Sequence, residues 1–189
     1  MRSLLLGLVA VLIWASSSEA ACTGSSPTWM STPDQTSVQS CMSSATAGDT
    51  IFVSAGSATW SNPNFTKSVK LIGAGAGKTV ITGAWTMTST IGARISGFTF
   101  NVGAGHILIN SSTAFRIDHN TITHDIPSGV NFQLWGSIAT AIEGLIDHNT
   151  LTNGKVLFYG TPLGAAGAGN IRWSEPLNQG TSHALYIED

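Results

Sequence analysis

The chain has 189 residues, a formal net charge of −2 and only 10% charged residues, far below the roughly 25% of ordinary soluble domains. A near-neutral balance excludes a partner gripped through many phosphates, so no nucleic acid is expected. Solubility must come from Ser, Thr, Asn and backbone groups, an exterior that suits sugars and equally suits an inert wall.

Residues 1–21 read as a secretory signal peptide. Arg2 gives the positive start, Leu4 to Trp14 the apolar run, and Ser18-Glu19-Ala20 the small-x-small cleavage site. That run is too short for a bilayer and nothing later reaches spanning length, so no membrane span is expected. Cys22 directly after Ala21 also admits a lipid-anchored form, but Glu19 stands where such a signal wants a branched apolar residue. The expected location is secreted, either extracellular or periplasmic. An oxidising compartment suits pairing of Cys22 with Cys41, the chain's two cysteines. Closing that loop stabilises by roughly 3 kcal/mol in the chain-entropy model. Two separate buried thiols are the alternative, and neither cysteine has a histidine near it in sequence.

Residues 22–49 form an N-terminal segment with a short helix. Thr32 reads as its cap, Pro33 as its first residue and Gln35 as the partner in a capping box. Val38, Cys41, Met42 and Ala45 recur with helical period on one apolar face, and Gly48 is the stop. Such a helix suits the open end of a stack of strands.

From Thr50 the period changes to two. Ile51-Phe52-Val53, Val69-Lys70-Leu71-Ile72, Thr79-Val80-Ile81 and Ile107-Leu108-Ile109 are short β-branched runs between Gly, Ser, Asn and Pro. Val130-Asn131-Phe132-Gln133-Leu134 alternates, which places Val130, Phe132 and Leu134 on one side. Gly73 to Thr79 lacks the spacing of a phosphate loop and reads as a turn between coils.

A phrase then repeats. Phe115-Arg116-Ile117-Asp118-His119-Asn120-Thr121-Ile122-Thr123 returns as Gly144-Leu145-Ile146-Asp147-His148-Asn149-Thr150-Leu151-Thr152. A looser copy runs from Ala93 to Asn101, and a cut-off copy, Leu185-Tyr186-Ile187-Glu188-Asp189, closes the chain. Units too short to bury their own apolar face, repeated at this interval, mark a solenoid. Alternation points Ile95, Ile117, Ile146 and Ile187 inward in one column, with Phe100, Ile122 and Leu151 in the next inward slot. Arg116, Leu145 and Tyr186 point outward. Asn120 and Asn149 fall at the bend, where asparagine tolerates left-handed dihedrals and its amide can bond from coil to coil. The last copy stops part-way through a coil, so the chain is expected to be the front portion of a longer protein.

The two Ile-Asp-His-Asn phrases, the preceding helix and Ala47-Gly48-Asp49-Thr50-Ile51-Phe52-Val53 resemble right-handed parallel β-helix proteins of the pectate-lyase-like superfamily. The resemblance implies an all-β fold, a right-handed parallel β-helix over residues 50–189 with a short N-terminal capping α-helix. It further implies engagement of an extracellular polysaccharide, with lyase or glycoside hydrolase chemistry open and calcium entering only through family likeness. A non-catalytic surface, adhesion or spacer protein is the alternative, since this fold carries many functions. No specific protein partner is indicated, and no metal-ligand set is assigned.

The candidate catalytic residues are Asp118, His119, Asp147, His148 and Arg116. Stacking would bring the carboxylates together on the outer face with the imidazoles beside them, an arrangement that shifts pKa values. Repetition for packing explains the same residues, and Arg116 beside Asp118 also reads as a surface ion pair worth under ~1 kcal/mol. Trp135, on the outward phase of its strand, and Trp173, next to Arg172 after the excursion from Gly160 to Gly169, are candidate sugar-stacking residues, with simple loop packing the alternative for each. Trp85 reads as inward and structural.

Overall fold

The computed structural model describes residues 22–135, 142–159 and 185–187. The expected signal peptide, the excursion from Gly160, Arg172, Trp173, Glu188 and Asp189 lie outside the described residues.

The chain enters through an antiparallel hairpin, β1 (Cys22–Ser25) and β2 (Thr28–Ser31), turning at a cis Ser26–Pro27 bond. Nothing in the sequence reading anticipated this hairpin. Helix α1 (Gln35–Ser44) follows. Its cap is Asp34, whose carboxylate accepts from the Ser37 amide at 2.8 Å, rather than Thr32. Gln35 makes no capping box; its side-chain oxygen accepts from the Ser61 amide at 2.6 Å. The helix ends at Ser44, four residues before Gly48, and Lys67 donates to the carbonyls of Ser43 and Ala45 at that end. The apolar face is as the period indicated, with Val38, Cys41, Met42 and Ala45 all buried. Cys41 is bonded to Cys22, which ties the helix to the hairpin.

Every later strand pairs in parallel, and the strands fall into three sheets. The first runs from the hairpin through β3 (Thr50–Val53), β6 (Lys70–Gly73), β9 (Arg94–Ser96), β12 (Phe115–Asp118), β15 (Gly144–Asp147) and β18 (Leu185–Ile187). The second holds β4 (Gly56–Thr59), β7 (Thr79–Thr82), β10 (Thr99–Gly103), β13 (Thr121–His124) and β16 (Thr150–Thr152). The third holds β5 (Asn64–Phe65), β8 (Trp85–Thr88), β11 (Ile107–Asn110), β14 (Gly129–Trp135) and β17 (Gly154–Tyr159). Each pass through the three sheets is one coil, giving a parallel β-helix of about six turns. The Gly73–Thr79 segment is a corner inside one coil, joining β6 to β7, and not a link between coils.

Coil-to-coil register places like on like. Ile51, Leu71, Ile95, Ile117 and Ile146 pair in sequence and are all buried, and the backbone of Ile187 continues the row. Ile81, Phe100 and Ile122 form the second column and are buried; Leu151 keeps the register but, on the edge strand β16 of the described sheet, is 37% exposed rather than inward as expected. Trp85, fully buried, packs against Phe65 and Phe100. The alternation across Val130 to Leu134 breaks once. A register shift between Val130 and Phe132 turns Asn131 into the interior, where its amide has no hydrogen-bond partner among the described residues.

Candidate active site

The corner between the first and second sheets is a tight bend that requires a left-handed residue. Gly97 fills that place in one coil at φ 78°, and the two following coils use His119 at φ 56° and His148 at φ 51°. The histidines therefore take the left-handed position expected for the asparagines. A non-glycine residue accepts that conformation at some cost, and the next residue holds it there. Asn120 Nδ2 donates to the carbonyls of Asp118 and Ile95 and to Asn149 Oδ1, at 2.9, 3.1 and 3.0 Å. Asn149 repeats the pattern one coil on, reaching Asp147 and Ile117 at 2.9 and 2.7 Å. Each amide staples its own bend and the coil before it, and the series ends on the Phe98 amide, which donates to Asn120 Oδ1. Both asparagines are buried, so these bonds carry the full penalty of any loss.

Immediately before each histidine stands an aspartate. Asp118 and Asp147 face outward, yet they are 0% and 1% exposed. A roof of long side chains covers them, and this corrects the surface ion pair expected from sequence. Arg94 donates to Asp118 through Nε at 2.8 Å and an NH2 group at 2.5 Å. Arg116 does the same to Asp147 at 3.0 and 2.6 Å, and reaches Asp118 only at 3.7 Å. Each arginine thus serves the aspartate one coil further on. The offset has a simple cause. Arg94 has Ser96 beside it in its own coil, so it extends to Asp118, and Arg116 is displaced in turn to Asp147. Leu145 ends the series. The Arg116–Asp118 ion pair expected from sequence is present at 3.7 Å, but the shorter bonds run from Arg94 to Asp118 and from Arg116 to Asp147; the Arg94–Arg116 register with Ser96 aligned to Asp118 was the signal for that offset.

Burial by itself would raise the Asp118 carboxyl. The hydrogen bonds from Arg94 and His119 and the nearby guanidinium charges outweigh it and hold the pKa below the usual value. For Asp147 the Arg116 hydrogen bonds are the largest influence, again downward. Asp118, through its hydrogen bonds, holds Arg94 more firmly protonated than usual. Carboxylates kept ionised in this way are poor proton donors, and their chemistry passes to their neighbours.

Those neighbours are the imidazoles. His119 Nδ1 lies 2.8 Å from Asp118 Oδ2, and His148 Nδ1 lies 2.7 Å from Asp147 Oδ2. An ionised carboxylate only accepts, so Nδ1 carries the proton and Nε2 holds the lone pair in the neutral ring. This is the base-plus-orienting-carboxylate half of a catalytic triad, present twice. The rings are 58% and 60% exposed and stack at 5.1 Å with planes 4° apart. With their planes parallel and each Nδ1 turned to its own preceding aspartate, the two rings repeat one orientation, so the two Nε2 atoms do not converge on one point. They offer the same group twice, one coil apart, to something extended.

The structure therefore brings Asp118, His119, Asp147, His148 and Arg116 into one patch and adds Arg94. Trp135 is exposed, but it ends β14 in the third sheet, at a different corner of the coil. Among the described residues, no group of three or more His, Cys, Asp or Glu is close enough to hold a metal ion, and no helix is long and apolar enough to cross a membrane. Comparison with family models, curated proteins and solved structures returns no match.

Proposed function

We propose that this chain engages an extended extracellular polysaccharide along the outer face of the first sheet, with His119 and His148 as its contact and proton-handling groups. The observation that carries the reading is the pair of aspartate-oriented imidazoles stacked 5.1 Å apart. Coils repeat at about 4.8 Å, the scale of one sugar residue, so a linear polymer lying along the axis meets equivalent groups at equivalent places. Asp118 and Asp147 act as positioning residues, and Arg94 and Arg116 keep them ionised. The likeness of the Ile-Asp-His-Asn phrases to the pectate-lyase-like superfamily supports a polysaccharide ligand. The leader expected at residues 1–21 and the Cys22–Cys41 bond support a secreted, extracellular or periplasmic setting.

An imidazole with a free Nε2 lone pair suits removal of a ring proton in a lyase, or activation of water in a hydrolase. The test is a panel of neutral and uronic-acid polysaccharides, scored for binding, for new unsaturated ends with and without calcium, and for new reducing ends. Binding that falls at least tenfold when His119 and His148 are both changed to alanine supports the reading. Unsaturated ends assign a lyase, and reducing ends alone assign a hydrolase. Wild-type binding by the double variant overturns the role given to the histidines.

One observation favours a second reading, a non-catalytic surface or spacer protein. Arg94, Arg116, Asp118 and Asp147 match one another's charges within the fold, as a purely structural staple would. Absence of binding to every polymer in the panel, with lost stability as the only effect of changing these residues, would decide for it.

A further inference from the structure

The outer face of the first sheet carries a second ordered feature, toward the hairpin. Met30, Phe52 and Ile72 are register partners in β2, β3 and β6. Met30 and Phe52 are 48% and 41% exposed. Two residues earlier on the same face stand Thr28, Thr50 and Lys70, also in register. Three strands in succession thus set an apolar side chain beside a hydroxyl or an ammonium. Both columns continue without a break. The apolar one passes through Ser96 to Asp118 and Asp147, and the polar one passes through Arg94 to Arg116.

We propose that Met30, Phe52 and Ile72, flanked by Thr50 and Lys70, form a remote sugar-stacking subsite at the far end of the track that begins at His148. The inference rests on the polysaccharide reading above and adds where the polymer's other end is held. Width selects the occupant. A protein partner of ordinary stability covers about 800 Å² on each side, which a stripe one side chain wide does not supply. A pyranose ring has an apolar C–H face and a hydroxyl rim, which match an aromatic face and the Thr and Lys groups beside it. Phe52 lies four coil steps from Asp147, about 19 Å. A chain of roughly five sugar residues at the same spacing is needed to touch both ends.

The test uses the full chain with two probe series, cello-oligosaccharides and oligogalacturonates of two to eight residues, and calorimetric titration. The expected result is an affinity that climbs steeply once the oligomer passes about five residues. Phe52→Ala is expected to remove that climb, weakening the longest oligomers roughly fivefold or more while leaving the shortest unchanged. His119→Ala is expected to weaken all lengths. Phe52 is solvent-facing, and an unchanged melting temperature in Phe52→Ala confirms that the fold is intact. Undiminished binding of the longest oligomers by that variant, with His119→Ala impaired, overturns this subsite and leaves the wider reading standing. Failure of the wild type to bind either series overturns both. Conversion of a dimer to a monomer by Phe52→Ala, without loss of sugar binding, reassigns the stripe to self-association.

Discussion

The coils near the hairpin and those carrying the histidines use one backbone template with different cement. Near the hairpin the interior is aromatic: Trp60, Phe65, Trp85, Phe98 and Phe100 sit with ring centroids 5.2–6.5 Å apart, and Trp60 donates from its indole to the Pro33 carbonyl. In the coils that follow, the bend between the first and second sheets is held by asparagine amides and the outer face by arginine–aspartate pairs. Apolar packing tolerates slippage because it has no direction. Hydrogen-bonded staples fix orientation, and orientation is what an imidazole needs if it is to act on a ligand. The polar coils are the ones that hold the exposed functional groups.

If that division is right, substitutions in the two regions should fail differently. Trp60→Ala opens a cavity beside three aromatic rings, those of Phe65, Phe98 and Phe100, and should cost about 3–5 kcal/mol in denaturant unfolding, with no particular effect on the histidines. Asn120→Ala is expected to cost about 2–3 kcal/mol, because it strips partners from the Phe98 amide and the carbonyls of Ile95 and Asp118. It should also raise hydrogen exchange at the His119 bend, which Trp60→Ala should leave unchanged. Equal exchange at that bend in both variants would erase the contrast.

Asp118→Ala should cost less, about 1–2 kcal/mol, because the half-exposed Arg94 regains water. It should nevertheless weaken polymer binding as much as His119→Ala does, since the ring loses its orienting partner. His119→Ala itself should change stability by under about 0.5 kcal/mol. A stability loss without a binding loss in Asp118→Ala would make the aspartate a staple and nothing more.

Acid should reveal the carboxylates of both regions. Asp49, which accepts from the Trp29 indole, the Thr46 amide and hydroxyl and the Ser26 hydroxyl, titrates at about 2. Asp118 and Asp147 are also lowered. The unfolded chain therefore binds more protons than the folded one below about pH 4. The stabilisation these groups give is complete above that point and is lost as pH falls through the folded values. Melting temperature followed from pH 7 to pH 2 should drop steeply below pH 4, and Asp49→Asn should begin lower and drop less steeply.

Much of this was legible in the residues, for a physical reason. Stacked coils must put like side chains over like, so Ile117 and Ile146 announced both the strand phase and the column, and the solenoid followed. Side chains that act across coils were harder. Arg116 lies two residues from Asp118 in sequence but bonds Asp147, because a guanidinium on a long stem reaches diagonally and Arg94 already occupies the nearer carboxylate. The left-handed corner fell to histidine instead of asparagine for a related reason: the asparagine amide is needed inside, one residue on. Asn131 read as outward because a single-residue bulge leaves no mark on an alternating pattern. The hairpin was missed because Cys22 to Ser31 has no period to detect.

The most direct test of the central claim is to follow the imidazole carbon–proton resonances of His119 and His148 while a bound polysaccharide from the panel is added. The account predicts that both sets of signals move together and saturate at the same polymer concentration, because the rings present the same group to one chain. Saturable binding with both histidine signals unmoved would contradict it.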